Sequence, residues 1–239
     1  MSQPGPDAVS VIIPVHNGAR YLGAAIESVL SNDARPMEVI VVDDGSTDGS
    51  GDVARAFDDV MCVSLPHSGV GAALNAGVAL ARGALIAFLD ADDVWAPGKL
   101  EAQMELLHRR PELEAVGAYV EEFPSEDFAV QGEMFTTVRP DRYQAPLPST
   151  VLIRKEALAR LGPFSESPEA GSAMDFVLRL RDSGLKWAVA PGALVRRRIH
   201  LNNSGRTSRT AQHREYLLAI KRSLDRRRAQ RPLRHTGDR

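Results

Sequence analysis

Apolar and polar positions alternate between two rhythms over the first hundred residues. VSVIIPV (9–15), EVIVVDD (38–44), VMCVSL (60–65) and ALIAFLD (84–90) are near-continuous apolar runs of strand length. Between them the period changes. In ARYLGAAIESVL (19–30), Leu22, Ile26, Val29 and Leu30 recur at helical spacing. STDGSGDVARAF opens with capping residues and continues as a short helix. GVGAALNAGVALARG reads as a helix of small residues closed by Gly83, and Pro97 to Arg109 as an amphipathic helix with proline in its first turn. Pro14 is expected to end pairing in the first strand. Strands without alternation are buried on both faces. With helices between them they predict an α/β fold, a doubly wound, mostly parallel sheet covered by helices on both faces.

The rhythm is lost from about 120 to 148, where four prolines and no clean period suggest an irregular excursion. STVLIRKEALARLGPF (149–164) predicts a strand and a short helix, SAMDFVLRLRDSG (172–184) an amphipathic helix ending at Gly184, and KWAVAPGALVRRRIH (186–200) paired strand material. The expected division is a disordered start (1–8), a first half (9–110) and a second half (111–205) of one domain, and a basic C-terminal helical tail (206–239). No internal repeat is visible.

Composition narrows the class. An apolar fraction of 44% in 239 residues is enough for a core and excludes wholesale disorder. The single cysteine, Cys62, cannot form an intramolecular disulfide, and it reads as a core residue in a reducing compartment. No apolar run reaches bilayer-spanning length, and the start lacks a secretory pattern, so the expectation is a cytoplasmic protein. The net charge of -2 conceals an asymmetry: from Arg196 onward 14 bases face three acids, whereas the preceding residues carry 15 bases and 28 acids. Such a tail suits folding back onto the acidic body, contact with anionic headgroups, or a polyanion. The expectation adopted is peripheral membrane contact and no nucleic-acid partner.

In a doubly wound sheet the ligand crevice lies beyond the carboxyl ends of the strands. Polar clusters fall at all four ends: HNG, DDGSTD, HSG and DADD. In FLDADDVWAP (88–97), Asp90, Asp92 and Asp93 follow an apolar strand directly. Carboxylates this close repel and burial makes each costlier, so either water solvates them or a cation belongs there. Capping of the next helix would account for one acid but not three.

VSVIIPVHNGARYLGAAIESVL, EVIVVDDGSTDGS, GVGAALNAGVALARGALIAFLDADDVWAPGKL and GPF together resemble family 2 glycosyltransferases of the GT-A fold, closely over 9–110 and more loosely to about 205. The resemblance implies transfer of a sugar from a UDP- or dTDP-sugar to an acceptor hydroxyl with inversion, assisted by Mg2+ or Mn2+. It assigns Asp90-Ala91-Asp92 to the family's Asp-x-Asp motif, with Asp92 as metal ligand and Asp90 at the ribose or a metal-bound water. Hard cations of this kind take oxygen ligands. It assigns reading of the base to Asp44 with Asp43 beside it, or the reverse, since a carboxylate accepts the N3–H of uracil or thymine. Pro14, Val15 and Asn17 fall where the family packs base and ribose, although Asn17 also fits a simple Asx turn. Asn75 matches a recurrent asparagine near the nucleotide. His67 and Leu74 depart from the family, which often has Asn and Arg there.

The family's catalytic base comes from a Glu-Asp pair at a helix start resembling EDxDLWLRL. Aligning on Leu178-Arg179-Leu180 puts Ser172 and Ala173 where that pair belongs and Asp175 on a later acid. Asp175 is the expected base, Glu169 the alternative. In RRRIHLNNSG (196–205), the resemblance implies that His200 completes a metal shell or touches diphosphate, and Arg198 suits phosphate charge. Two other readings stay open: a binding module that keeps the nucleotide site without a base, and a sugar-phosphate nucleotidylyltransferase. The second is disfavoured because PVHNGARY lacks a Gly-rich basic loop.

Overall fold

The computed structural model describes residues 5–126, 138–139, 141–144, 147–166, 172–200, 203 and 209–229. Its strands are β1 (Val9–Val15), β2 (Glu38–Asp44), β3 (Val60–Leu65), β4 (Leu85–Phe88), β5 (Val94–Trp95), β6 (Ala115–Pro124), β7 (Tyr143–Gln144), β8 (Leu152–Arg154) and β9 (Trp187–Ile199). The helices are α1 (Ala19–Leu30), α2 (Ser50–Arg55), α3 (Val70–Leu80), α4 (Lys99–Arg109), α5 (Lys155–Leu161), α6 (Ser172–Asp182) and α7 (Arg209–Ala229). Glu169 and residues 230–239 lie outside the described residues.

One sheet runs β3-β2-β1-β4-β8-β6-β9-β5, with β7 on the side of β6. The first four strands are parallel, as the apolar runs predict. β8 then enters antiparallel between β4 and β6, and β9 lies parallel to β6. Alternate side chains sort into two cores. Val11, Ile13, Val39 and Val41 face α1 and α4, through Leu22, Ile26, Leu100 and Leu107. Ile12, Ile40, Val42, Ile86 and Phe88 face the other way, towards Leu74, Leu158, Phe164 and Phe176. Phe164 and Phe176 stack at 4.7 Å, and Phe88 meets Phe164 edge-on at 5.3 Å. Burying each such ring contributes about 1.5–3 kcal/mol.

Several local expectations need correction. Pro14 does not end β1: it pairs with Val42 and the strand runs on to Val15. Ile12 accepts the Leu89 amide, so Pro14, two residues on, turns its missing N–H to the same side, just past the end of β4. Residues 120–124, expected to be irregular, belong to β6 and pair with β9. Their partner is some 75 residues away, so no local period announces them. The 186–200 segment is paired strand as expected: β9, with Gly192 at φ 91°, pairs with β6 on one side and β5 on the other. α4 starts at Lys99, after Gly98 in a left-handed conformation, rather than at Pro97. Cys62 is half-buried on the edge strand β3 rather than in the core, and burial raises its thiol pKa.

Candidate active site

The carboxyl ends of β1, β2 and β4 meet at one edge, as parallel order requires. Pro14 and Val15 register with Val42 and Asp43, so Asp43 sits beside Val15. The chain turns at Asn17, a non-glycine residue with φ 52°, which asparagine tolerates. Asn17 binds its neighbouring loop: Oδ1 accepts the Thr47 amide (2.9 Å), and its own amide donates to Ser46 Oγ (2.9 Å). The Asx-type role is thus the one its contacts display. Asp48 accepts the Ala19 amide at the start of α1 (2.9 Å) and the Ser50 amide and hydroxyl, joining both helix starts. Burial raises its pKa, but these hydrogen bonds outweigh that and leave it lowered.

The two acids after β2 differ. Asp44 is buried, and both its oxygens are taken by the 67–69 loop: Oδ1 accepts the Ser68 amide (2.7 Å), Oδ2 the Gly69 amide and His67 Nδ1 (2.9 Å each). Asp43 accepts the Ser46 amide on Oδ1 (2.9 Å). His67, noted in the sequence as a departure from the family, and His16, which the motif reading passed over, complete this corner. His16 donates Nδ1–H to the Asp44 carbonyl (2.7 Å), and its ring stacks on His67 at 4.0 Å. Among the described residues, His16, Asp44 and His67 are the group of three whose potential metal-ligand atoms lie within 4.8 Å of one another. Their hydrogen bonds already account for that closeness. The signal available in the sequence was HNG and HSG at the ends of β1 and β3, the two strands that flank β2.

The acidic tip lies between β4 and β5, closed by the Asp93 amide on the Asp90 carbonyl (3.1 Å). Ala91 packs on the first core beside Gly18. Asp93 is buried and accepts the Arg198 amide (2.8 Å). Burial and then the charge of Asp92 push Asp90 up to about 7, and burial with the charges of Asp92 and Asp90 raises Asp93 well above its ordinary value. The end of β9 folds over this tip. His200 Nε2 lies 3.0 Å from Asp92 Oδ2, and Asn203 Nδ2 3.4 Å from the same oxygen. Arg198 donates Nε to the Asp92 carbonyl (3.1 Å), and its guanidinium lies over the rings of Tyr21 (4.9 Å) and Phe123 (4.6 Å). Asp92 and His200, 108 residues apart, are thus brought within hydrogen-bonding distance. A carboxylate oxygen and an imidazole nitrogen are donors that a divalent cation can take, but among the described residues no third His, Cys, Asp or Glu ligand atom lies within 4.8 Å of both.

Asn75 and Asp175 belong to a different network. Asn75 Oδ1 accepts the Phe164 amide (2.8 Å), and Nδ2 donates to the Phe164 carbonyl (3.0 Å) and Glu166 (2.9 Å). Asp175 is buried on α6, with Arg179 Nε at 2.7 Å and Arg226 Nη1 at 3.5 Å on its two oxygens. Arg179 also donates to the carbonyls of Leu161, Gly162 and Pro163. Both residues thus fix the LGPF turn.

The polar loops thus meet at the carboxyl edge of a parallel sheet, where open α/β folds place their ligands, and Asp92 and His200 join there. The sequence profile of Glycosyl transferase family 2 matches residues 10–162, and the chain belongs to that family. An uncharacterised glycosyltransferase of Nostoc is 48% identical over 103 residues, 41% of this chain and 32% of that protein. The putative teichuronic acid biosynthesis glycosyltransferase TuaG of Bacillus subtilis is 36% identical over 107 residues, 43% of this chain and 42% of its own. The matched segment spans about a third to two fifths of these relatives' lengths. The fold is GT-A: S. aureus TarS residues 1–349 in complex with UDP-GlcNAc superposes with a TM-score of 0.72 at 17% identity, over 92% of this chain and 66% of that one.

Proposed function

We propose that this chain transfers a sugar from a UDP- or dTDP-sugar to an acceptor hydroxyl with inversion. One observation carries the reading: Asp92 Oδ2 and His200 Nε2 meet at 3.0 Å where the acidic tip faces the β1–β2 edge. That TarS is known with UDP-GlcNAc and with UDP supports a uridine nucleotide as the donor handle. Asp92 and His200 would hold Mg2+ or Mn2+, which when bound supplies positive charge for the departing diphosphate. Arg198, steadied between two aromatic rings, offers its remaining N–H groups to the same oxygens. Asp43 accepts the pyrimidine N3–H, because Asp44 already has both oxygens engaged.

Calorimetry of UDP binding with Mn2+ tests this. Asp92→Ala should lower the manganese-assisted affinity at least about tenfold, the scale on which a disturbed ligand shell weakens a metal site. Asp43→Asn should weaken UDP with or without the ion. Unchanged manganese-assisted affinity in Asp92→Ala would sink the proposal.

A second reading, a nucleotide-sugar-binding unit without its own base, is favoured by the two arginines on Asp175 and by Ala173 standing where the family's acid belongs. If Asp175 is the base, Asp175→Asn keeps UDP affinity and loses about 10²–10⁴-fold in UDP release with donor and acceptor. If it only holds the LGPF turn, the variant melts earlier and loses UDP affinity as well.

A further inference from the structure

Three separate strand ends bring nitrogen and oxygen donors to one point on the carboxyl edge of the sheet. β1 registers Val15 with Asp43, so His16, the next residue, falls beside Asp44. β2 registers Asp44 with Leu65, so His67 follows the end of β3 by two residues. The ligand atoms of His16, Asp44 and His67 all lie within 4.8 Å of one another, and among the described residues no other group of three His, Cys, Asp or Glu does this. Hydrogen bonds hold the triangle together: His67 Nδ1 lies 2.9 Å from Asp44 Oδ2, and His16 Nδ1 lies 2.7 Å from the Asp44 carbonyl. Those bonds do not require two imidazoles, since serine or asparagine donates to the same oxygens.

The dimensions suit an ion. Zn2+ bonds of about 2.0–2.1 Å place tetrahedral nitrogen and oxygen ligands about 3.3 Å apart. The 2.9 Å edge lies just inside that spacing, and the spread of up to 4.8 Å closes to it by a turn of one imidazole. The turn is needed because the rings stack at 4.0 Å and 23°, whereas an ion lies in the plane of each ring it binds. Both rings have room for it: His16 is exposed and held by Asn17 Nδ2 at 3.1 Å, and the His67 side chain is 61% exposed. Asp44 is the rigid member. Its side chain is buried, and the Ser68 and Gly69 amides aim its oxygens. Hydrogen bonds of this kind fix the orientation of a ligating carboxylate. One of the bonds to Asp44 Oδ2 comes from the His67 Nδ1 proton, which the ion replaces and which moves to Nε2. Two imidazoles with a single carboxylate select a borderline ion such as Zn2+ over Mg2+, which takes oxygen ligands. Water at the exposed face completes the shell.

We propose that His16, Asp44 and His67 form a binding site for Zn2+ or a like transition ion, which ties the loops after β1 and β3 to the end of β2. The site shares no residue with the Asp92–His200 pair and is independent of the reaction proposed above. Calorimetric titration of Zn2+ into the untagged full chain, with no nucleotide present, tests it. The parent should bind Zn2+ saturably, and excess Mg2+ should not displace it. His16→Gln and His67→Gln should each weaken that binding at least about tenfold. Both replace exposed side chains and leave Asp44 in place, so the thermal melt should not change. Asp92→Ala and His200→Gln should keep the parent's tightest Zn2+ affinity. Co2+ should give a visible absorbance spectrum that the two histidine variants lose and the Asp92 and His200 variants keep. The proposal is overturned by a parent that shows no saturable binding, by either histidine variant binding like the parent, or by displacement with Mg2+. It is overturned equally if Asp92→Ala or His200→Gln abolishes the binding, since the ion would then sit at the acidic tip.

Discussion

Lys99 opens α4 fully buried, its ammonium 3.9 Å from the Trp95 ring centroid and 2.7 Å from Gln103 Oε1. Burial lowers its pKa from 10.5 to about 7, while the ring face and the amide oxygen favour the cation and limit that fall. The unfolded chain holds this proton between about pH 7 and 10.5 and the native chain releases it, so the group makes stability rise with pH across that window. Urea titrations at pH 7, 8 and 9.5 should show the rise in the parent and a flatter response in Lys99→Met; equal slopes would refute the assignment. Glu38 gives the opposite limb. Burial raises its pKa, but hydrogen bonds from Ser10, the Arg82 amide and the Arg82 guanidinium outweigh that and leave it below its ordinary 4.5. Its contribution is therefore present above pH 4.5 and is lost as pH falls through the lowered value. Glu38→Gln should make the acid limb of the melting curve shallower, and an acid limb as steep as the parent's would count against this role.

Two glycines separate helix propensity from packing at the scale of the element. Gly23 lies inside α1, and a Cβ there would meet only Val53 Cγ1, at 3.9 Å. Gly77 lies inside α3, and a Cβ there would come within 2.4 Å of Ile12 Cγ2 on β1. Gly23→Ala should raise stability by about 0.5–1 kcal/mol. Gly77→Ala should cost about 1–3 kcal/mol, because α3 must lift from the sheet. Urea midpoints measure both, and a neutral Gly77→Ala would mean that α3 packs less closely than described. The sequence predicted these elements well where the information is local: β1 to β4 and their helices follow from apolar period alone. Their ends moved: α3 stops at Leu80 rather than at Gly83, β4 at Phe88, and α4 starts after Gly98, which rather than Pro97 makes the turn into it. β6 and β9 were harder, since each is stabilised by the other across a long separation and carries a polar, kinked pattern. The acidic tip was legible because three acids after an apolar strand are costly in any fold. The roles of Asn75 and Asp175 were not, because a motif names a residue and not its partners, and here the partners are Phe164, Arg179 and Arg226.

Across the whole molecule the first hundred or so residues and the remainder are interlocked rather than apposed. β5, from the earlier half, pairs with β9, and β8, from the later half, is inserted between β4 and β6. The edge of β4 away from β1 is therefore covered by chain from beyond residue 150, and on the Phe88 side of the sheet Leu158, Phe164 and Phe176 from the later half join Leu74 of α3. Neither half can keep its core without the other, so unfolding should be a single cooperative event. The two tryptophans make this measurable: Trp95 is buried on β5 and Trp187 is part-exposed at the start of β9. In Trp187→Phe the fluorescence reports Trp95 alone, at the seam where the halves pair. Its urea transition should superimpose on the loss of far-ultraviolet circular dichroism, with one midpoint and one slope. If instead the Trp95 signal moved at lower urea than the dichroism, the β5–β9 seam would open before the sheet. The Asp92–His200 pair, which spans that same seam, would then be held by a locally unstable strand end rather than by the fold as a whole.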